Sequence, residues 1–470
     1  METNKLTREE PSRNRENNPI LSRWQEVLSA RKGEAAIFAP DGTILRTFGL
    51  IEEEARRWEE QLARHNSSGA VCLQIGNRAE WPALVIAVWR SGRTLLPLEL
   101  EISEDRRCRI EQSCGAVLRI LPSAAGLTTV QLEDLTSLAT SGTDMLKITS
   151  GTTSEPRAIR FTAAQLLADY ENICKTMELR ESDLNYGVAS FAHSYGFSNL
   201  ITPLLCDGMA LVVSSDLIPR AIVEGIRSTS ATVFPAVPAL FRSLAEFSVS
   251  LRKLRLCISA GAPLPGTVAR GFSKRWSRKI HSLYGASECG GICYDRTNAI
   301  EIPRNYVGQP LEGVSLTVET EGPSQVWVGG LAVGSGYWPP GEEANFAHRA
   351  FRPADLLERS GDGFVLVGRT SELINVAGRK LNPGEVETVL KMSPNVREAV
   401  VLGLPASARG EEVVACIQGE VTEAELRRLC ASNLAAWQVP RRWFFFEKIP
   451  LNARGKISRA ELRARLAAEI

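Results

Sequence analysis

Leu50, Ala55, Trp58 and Leu62 recur at roughly helical spacing among charged residues, which predicts an amphipathic helix over 50–65. Residues 70–74 (AVCLQ) read as a short buried strand. A helix over 81–89 follows the turn at Gly76 and Asn77, and the next strand falls at 94–97. The cycle returns with strands at 211–214, 231–234 and 254–259. Strands alternating with helices predict an α/β architecture of layered, mainly parallel sheets. From 313 to 334 the pattern turns β-rich and helix-poor, with strands at 314–318 and 325–328. A loop is expected over 336–346, around the Pro339, Pro340 and Gly341 turn. After Gly368 and Arg369 a fresh alternation begins. Pro383, Gly384 and Glu385 open a helix, 399–402 is a strand and 423–433 a helix. No internal repeat interrupts this order.

These breaks predict a flexible polar tail over 1–18, a large N-terminal domain over 19–368 that includes a small β-rich subdomain, and a small α+β C-terminal domain over 369–470. The tail has no apolar run, so it reads as a tail rather than a signal peptide. The longest apolar stretch, 83–89, is too short to span a bilayer. A chain of 470 residues that is 44% hydrophobic and 23% charged has material for a large core. Its net charge of +1 removes any general attraction to nucleic acid or acidic membranes. The pairs Arg106-Arg107 and Arg427-Arg428 read as solvated helix faces. Ten cysteines occur without a C-x-x-C pair, and Cys289, Cys293 and His281 are too few ligands for zinc. Free thiols in a reducing cytoplasm are the expectation.

Candidate chemistry concentrates in 147–161 (KITSGTTSEPRAIRF). Six of the seven residues from Thr149 to Glu155 are Thr, Ser or Gly. Small residues let backbone N–H groups approach a polyphosphate, and hydroxyls add donors. Arg157 and Arg160 bring positive charge to the same place. The segment is not a G-x-x-x-x-G-K-[ST] loop, since no Lys-Ser or Lys-Thr pair closes it. Taken alone, it also fits a solvated Ser/Thr turn between two strands.

The same segment resembles the signature loop of the adenylate-forming (AMP-binding) superfamily, which includes acyl-CoA synthetases, peptide-synthetase adenylation domains and luciferases. That loop usually reads Thr-Ser-Gly-Thr-Thr-Gly-x-Pro-Lys-Gly; here Ser154, Arg157 and Ala158 replace its second glycine, its lysine and its last glycine. Further matches follow in the family's order. Ser259, Ala260, Gly261, Ala262 and Pro263 are similar to its adenine-side loop, and Tyr284, Gly285, Ala286, Ser287 and Glu288 to its Tyr-Gly-x-Thr-Glu motif. Asp355 falls on its Thr-Gly-Asp, with Pro353 and Ala354 before it. Gly368-Arg369 and Gly378, Arg379, Lys380 and Leu381 resemble the hinge motif and the loop beyond it. Gly455, Lys456 and Ile457 with Arg459 resemble the catalytic-lysine motif. The resemblance runs from about 35 to 465.

A carboxylate reacts with a thiol only after its oxygen becomes part of a leaving group, and joining it to AMP achieves that. Positioning and electrostatics supply most of such catalysis. The resemblance therefore implies an acid–thiol ligase that uses ATP and Mg²⁺ to make an acyl-adenylate, with pyrophosphate leaving. It implies that Thr149, Ser150, Gly151, Thr152, Thr153 and Arg157 surround the phosphates. Gly261, Ala262, Pro263, Tyr284, Gly285 and Ser287 would surround the base, with Tyr284 stacking on adenine. Asp355 would accept the ribose hydroxyls, Arg369 would reach ribose or phosphate, and Glu288 with Thr152 would serve Mg²⁺. Lys456 would contact the carboxylate and the α-phosphate as the catalytic cation, and His193 falls in the acid-substrate segment. After adenylation the mobile C-terminal domain would rotate about Ser371, where Asp or Lys is usual, bringing Gly378, Arg379 and Lys380 to the thiol acceptor. Asn375 stands for a common lysine.

Positions 191–200 contain no carboxylate to pair the amine of an amino acid, as peptide synthetases require. A plain fatty or aryl acid is the expected substrate. Three readings stay open: transfer to CoA; loading of a carrier protein's pantetheine arm; and a non-catalytic nucleotide-binding homologue, given Ser154, Arg157, Pro353 and Ser371.

Overall fold

The computed structural model describes residues 18–132, 142–149, 157–248, 251, 253–340, 343–376, 379–406, 410–450, 457 and 459–468. Four sheets organise them. The largest has eleven strands, and its middle runs Ala35–Phe38, Ala210–Val213, Leu184–Gly187, Val233–Ala236, Leu256–Ser259 and Ile280–Ala286, all parallel. Antiparallel partners close both ends, Ile44–Thr47 at one and Gly290–Tyr294, Tyr306–Pro310, Gly363–Arg369 and Asp355–Ser360 at the other. The expected parallel arrangement thus holds in the middle, and hairpins take over where no helix crosses back.

A seven-stranded sheet lies alongside, with Ala70–Leu73 and Thr94–Pro97 near its centre. All residues of those two strands are buried, as sheets covered on both faces require. The covering helix, Trp81–Arg90, is buried from Trp81 to Trp89. Trp24, Phe48, Trp81, Phe191 and Phe197 share this largest core. A second core stacks Phe234, Phe241, Phe272 and Trp276 in succession, with ring centroids 5.5, 5.2 and 4.6 Å apart.

The β-rich stretch forms a four-stranded sheet in the order Ser315–Val318, Val326–Gly329, Ala350–Phe351, Phe346–Ala347. A five-stranded sheet collects Arg379–Leu381, Ile374–Val376, Gly410–Gly419, Val396–Ala406 and Arg442–Phe445 over a core of its own, with Leu381, Val386, Ile417 and Leu426.

Capping fixes the helix starts. Thr47 Oγ1 accepts from Leu50 N, which starts the first predicted helix at Phe48. Thr162 with Gln165, and Thr422 with Glu425, form capping boxes before Ala163–Met177 and Glu423–Asn433. One expectation is corrected. The 336–346 loop contains a strand, Tyr337–Trp338, that pairs with Ile159 and Ala158 and extends the seven-stranded sheet. Two residues carry no readable alternation; the partner edge creates the strand, through Arg160 N to Gly336 O at 3.0 Å and Ser335 N to Arg160 O at 2.8 Å. Among the described residues, no helix is long and apolar enough to cross a membrane.

Candidate active site

The Ser/Thr/Gly segment is held at its base by an antiparallel pair, Met145–Ile148 with Ala158–Phe161. Thr149 closes that base, its N–H and Oγ1 both donating to Arg157 O at 3.0 and 3.3 Å. Ser150, Gly151, Thr152 and Thr153 lie outside the described residues. Just below, Lys147 is buried with Nζ 4.3 Å from the Phe161 ring centroid. Burial pushes its amine down, and Asp169 pulls it back up. The capping box at Thr162 orients the helix that carries Asp169, whose carboxylate accepts from Ser198 Oγ at 2.6 Å and Gly291 N at 2.9 Å.

The Tyr-Gly-x-Ser-Glu segment ends Ile280–Ala286 and turns into Gly290–Tyr294. Gly290 has φ +73°, and a Cβ there would overlap the Asp169 carboxylate, so this turn needs glycine. Tyr284 OH donates to Asp355 Oδ2 at 2.8 Å, and Arg369 Nε donates to Asp355 Oδ1 at 2.6 Å. Sheet register brings the second contact about, since Asp355 and Arg369 are paired across the hairpin. Burial, then the neighbouring Asp355, holds the Tyr284 phenol well above its ordinary range. Asp355 is itself buried, and each of its oxygens keeps a further lone pair free to accept. Gly261, Ala262 and Pro263 are exposed just past the end of the parallel strand Leu256–Ser259. Gly285 is exposed and Ser287 half-buried beside Tyr284.

Glu288 is half-buried, and desolvation pushes its carboxyl above the usual range. Tyr337 OH donates to Glu288 Oε1 at 2.9 Å, and Gly334 N to Glu288 O at 2.9 Å. The Tyr337 ring also lies 5.7 Å below the Arg157 guanidinium. Tyr337 escaped the sequence reading; its one signal was an aromatic pair between Gly336 and Pro339. Among the described residues, no group of three or more His, Cys, Asp or Glu could hold a metal. A carboxylate tied through Tyr337 to Arg157, at the base of the Ser/Thr/Gly segment, fits Mg²⁺, which takes one or two carboxylates and completes its shell with other oxygens.

His193 caps the short turn Ser194–Gly196, and its Nε2 is paired with Glu99 Oε1. Glu99 was also missed: it follows the strand Thr94–Pro97 and is separated from His193 by more than 90 positions, so no local pattern links them. Its backbone is held by Gln74 Nε2 at 3.1 Å. A π-helical turn, Phe197–Ile201, follows at once. A carboxylate does therefore stand beside 191–200, on another element, committed to His193.

Ser371 lies in the single turn Thr370–Glu372, directly after Arg369. Arg379 opens the strand Arg379–Leu381, which includes Lys380, and packs 5.5 Å from the Trp437 ring. Gly378 and Lys456 lie outside the described residues. Tyr284, Asp355 and Arg369 thus form one hydrogen-bonded group, while Tyr337 is joined to Glu288 by a hydrogen bond and to Arg157 by a cation–π contact. His193 and Arg379 keep separate partners.

Residues 144–338 match the family model of the AMP-binding enzyme, and 385–456 that of the AMP-binding enzyme C-terminal domain. The oxalate–CoA ligase of Arabidopsis thaliana is 27% identical, over 89% of this chain and 92% of its own length. The fold is shared with ATP-bound MatB from Rhodopseudomonas palustris, with TM-score 0.83 at 21% identity over 95% of this chain and 98% of that one. It is also shared with o-succinylbenzoate CoA synthetase (MenE) from Bacillus subtilis in complex with OSB-AMP, with TM-score 0.82 at 22% identity over 96% and 97%. With both family models matched in order on a mixed α/β frame of this kind, the chain belongs to the AMP-binding, adenylate-forming enzymes.

Proposed function

We propose that this enzyme is an AMP-forming acid–thiol ligase acting on a fatty or aryl acid and CoA. The observation that carries the reading is the Tyr284–Asp355–Arg369 group standing beside Glu288, which is tied through Tyr337 to the base of the Ser/Thr/Gly loop. The Arabidopsis relative is by name a CoA ligase, which supports CoA as the acceptor.

In the first half-reaction a carboxylate oxygen of the acid bonds to the α-phosphorus of ATP as the bond to pyrophosphate breaks. Asp355 accepts the ribose hydroxyls while Arg369 and Tyr284 keep its carboxylate oriented. Thr149 and Arg157 fix the base of a loop whose members Ser150, Gly151, Thr152 and Thr153 donate to the phosphates. Lys456 supplies positive charge to the reacting oxygens. Glu288, with Thr152, would hold Mg²⁺, which would neutralise phosphate charge. Gly261, Ala262, Pro263, Gly285 and Ser287 line the base, and the face of Tyr284 stacks on it.

In the second half-reaction the CoA thiolate attacks the acyl carbonyl and AMP leaves. We place the boundary between a 19–368 domain and a rotating 369–470 domain at the turn holding Ser371; separate sheets and cores on either side support it. Rotation exchanges Lys456 for Gly378, Arg379 and Lys380 beside the thiol. His193 contacts the acid. Among the described residues, Glu99, the carboxylate beside the 191–200 segment, is paired with His193, which supports a plain acid as substrate. Ten cysteines, all free thiols, support a cytoplasmic location.

The test is pyrophosphate release with ATP, Mg²⁺ and a panel of fatty and aryl acids, with and without CoA, beside Lys456→Ala. Acid- and CoA-dependent turnover that collapses in the variant is expected. A single burst that CoA does not accelerate, or no pyrophosphate from any acid, overturns the CoA-ligase reading.

A further inference from the structure

The segment 334–338 touches Glu288 twice and the phosphate-loop strand along its edge. Gly334 N donates to Glu288 O at 2.9 Å, while Tyr337 OH donates to Glu288 Oε1 at 2.9 Å. Along the other edge, Tyr337 pairs with Ile159, Arg160 N donates to Gly336 O, and Ser335 N donates to Arg160 O. A Cβ on Gly334 would press on Ile159 Cγ2 at 2.8 Å and Phe161 Cζ at 3.0 Å, so the segment is seated without slack. Phe346 packs edge-on against the Tyr337 ring at 5.1 Å, on a strand of the four-stranded sheet. The same ring lies under the Arg157 guanidinium. Tyr337 is therefore in contact with both the arginine at the end of the Ser/Thr/Gly segment and the carboxylate suited to the metal.

We infer that Tyr337 is a positioning residue for the metal–triphosphate complex. Its hydroxyl holds Glu288 Oε1 and leaves Oε2 for the metal, and its ring supports the Arg157 guanidinium. A carboxylate that binds Mg²⁺ through one oxygen gains from having the other held, because the rotamer is then chosen before the ligand arrives. This role rests on the proposal that Glu288 serves Mg²⁺·ATP. It does not need the acid or CoA.

The experiment is equilibrium binding of ATP to the full chain, followed by tryptophan fluorescence over a Mg²⁺ titration, with metal-free AMP binding as the reference. Tyr337→Phe keeps the ring and removes only the donor. It should raise the Mg²⁺ needed for half-saturation by about 10- to 100-fold, the usual effect of losing an outer-shell partner. AMP affinity and the unfolding midpoint should stay at the parent's values. In Glu288→Gln, adding Tyr337→Phe should cost nothing more, since no carboxylate remains to orient. Phe346→Leu, which loosens the ring without touching the hydroxyl, should give a smaller rise of the same kind and serves if Tyr337→Phe does not fold. Unchanged Mg²⁺ dependence in Tyr337→Phe, an equal loss of AMP binding, or additive losses in the double variant each overturn the inference. Because no acid is present, failure of the ligase reading would show in pyrophosphate assays and leave this result standing.

Discussion

Arg459 Nε lies 3.0 Å from Glu372 Oε2, so the first residue of the last helix is tied to the turn that directly follows Arg369. The same guanidinium reaches Glu387 Oε1 at 2.7 Å and Val401 O at 2.6 Å. Arg459 stands three positions after Lys456, and Glu372 one after Ser371. The pair therefore couples the stretch proposed to bear the catalytic cation to the proposed hinge. Arg459→Ala would leave two half-buried carboxylates facing each other. A loss of roughly 2 kcal/mol is expected in the C-terminal sheet, with a fall in acid-dependent pyrophosphate release. ATP binding, assigned by the proposal to Asp355 and its partners, should persist. Thermal unfolding read beside ATP titration checks this; parent-like stability in Arg459→Ala would refute it.

Glu52 anchors the largest core, on the helix Phe48–Ala63. Its buried carboxylate accepts from Arg90 Nη1 and Nη2 at 3.0 and 2.9 Å, from Trp24 Nε1 at 2.9 Å and from Arg56 Nε at 2.9 Å. Burial alone would raise its pKa, and these bonds outweigh burial and hold it below its ordinary value of 4.5. Its stabilising contribution is thus complete above the unfolded value and fades as pH falls through the lower folded one. Glu52→Gln should cost about 2–4 kcal/mol at neutral pH by leaving Arg90 without its counter-charge. The gap between parent and variant should close in acid, below the ordinary carboxylate range. Urea unfolding at a series of pH values measures both.

Much of this fold was readable because its cycles are long and capped. The helix at 423–433 was legible and is capped by Thr422 with Glu425, and the buried strands Ala70–Leu73 and Thr94–Pro97 follow from short, largely apolar runs. What escaped is set by partners rather than by local pattern. Tyr337–Trp338 is a strand only because Ile159 offers an open edge, and Glu99 matters only because two distant loops meet at His193. The site divides the same way: Asp355, Arg369, Glu288 and Tyr284 sit in motifs that mark them, whereas Tyr337, which holds Glu288, lies outside any motif.

Gly308 and Gly322 separate backbone strain from collision. Both have positive φ, +96° and +78°. At Gly308 a Cβ would overlap the Tyr294 carbonyl and Asp295 N in the neighbouring strand, while nothing lies within 4 Å of one at Gly322. Gly322→Ala should therefore cost only the left-handed conformation, about 1 kcal/mol. Gly308→Ala must push a pair of hydrogen-bonded strands apart and should cost more than roughly 3 kcal/mol. Similar melting temperatures for the two variants would refute this account.

His193 and Glu99 should behave as one unit. The imidazole is about one-third exposed and the carboxylate one-quarter, so the pair is partly solvated and its coupling modest, on the order of 1 kcal/mol. Its value lies in direction: Glu99 is itself placed by Gln74, and it fixes the imidazole at the start of the turn leading into Phe197–Ile201. If His193 contacts the acid, His193→Ala and Glu99→Ala should each lower kcat/KM for the acid by about 3- to 10-fold. ATP affinity should not move, because Asp355, Arg369 and Tyr284 are untouched. The double variant should lose no more than the worse single one, since the second change removes a partner already idle. Additive losses would mean that the two residues act separately. A loss confined to stability would make the pair a fold contact alone, leaving the acid to be read by other side chains of the 191–200 segment.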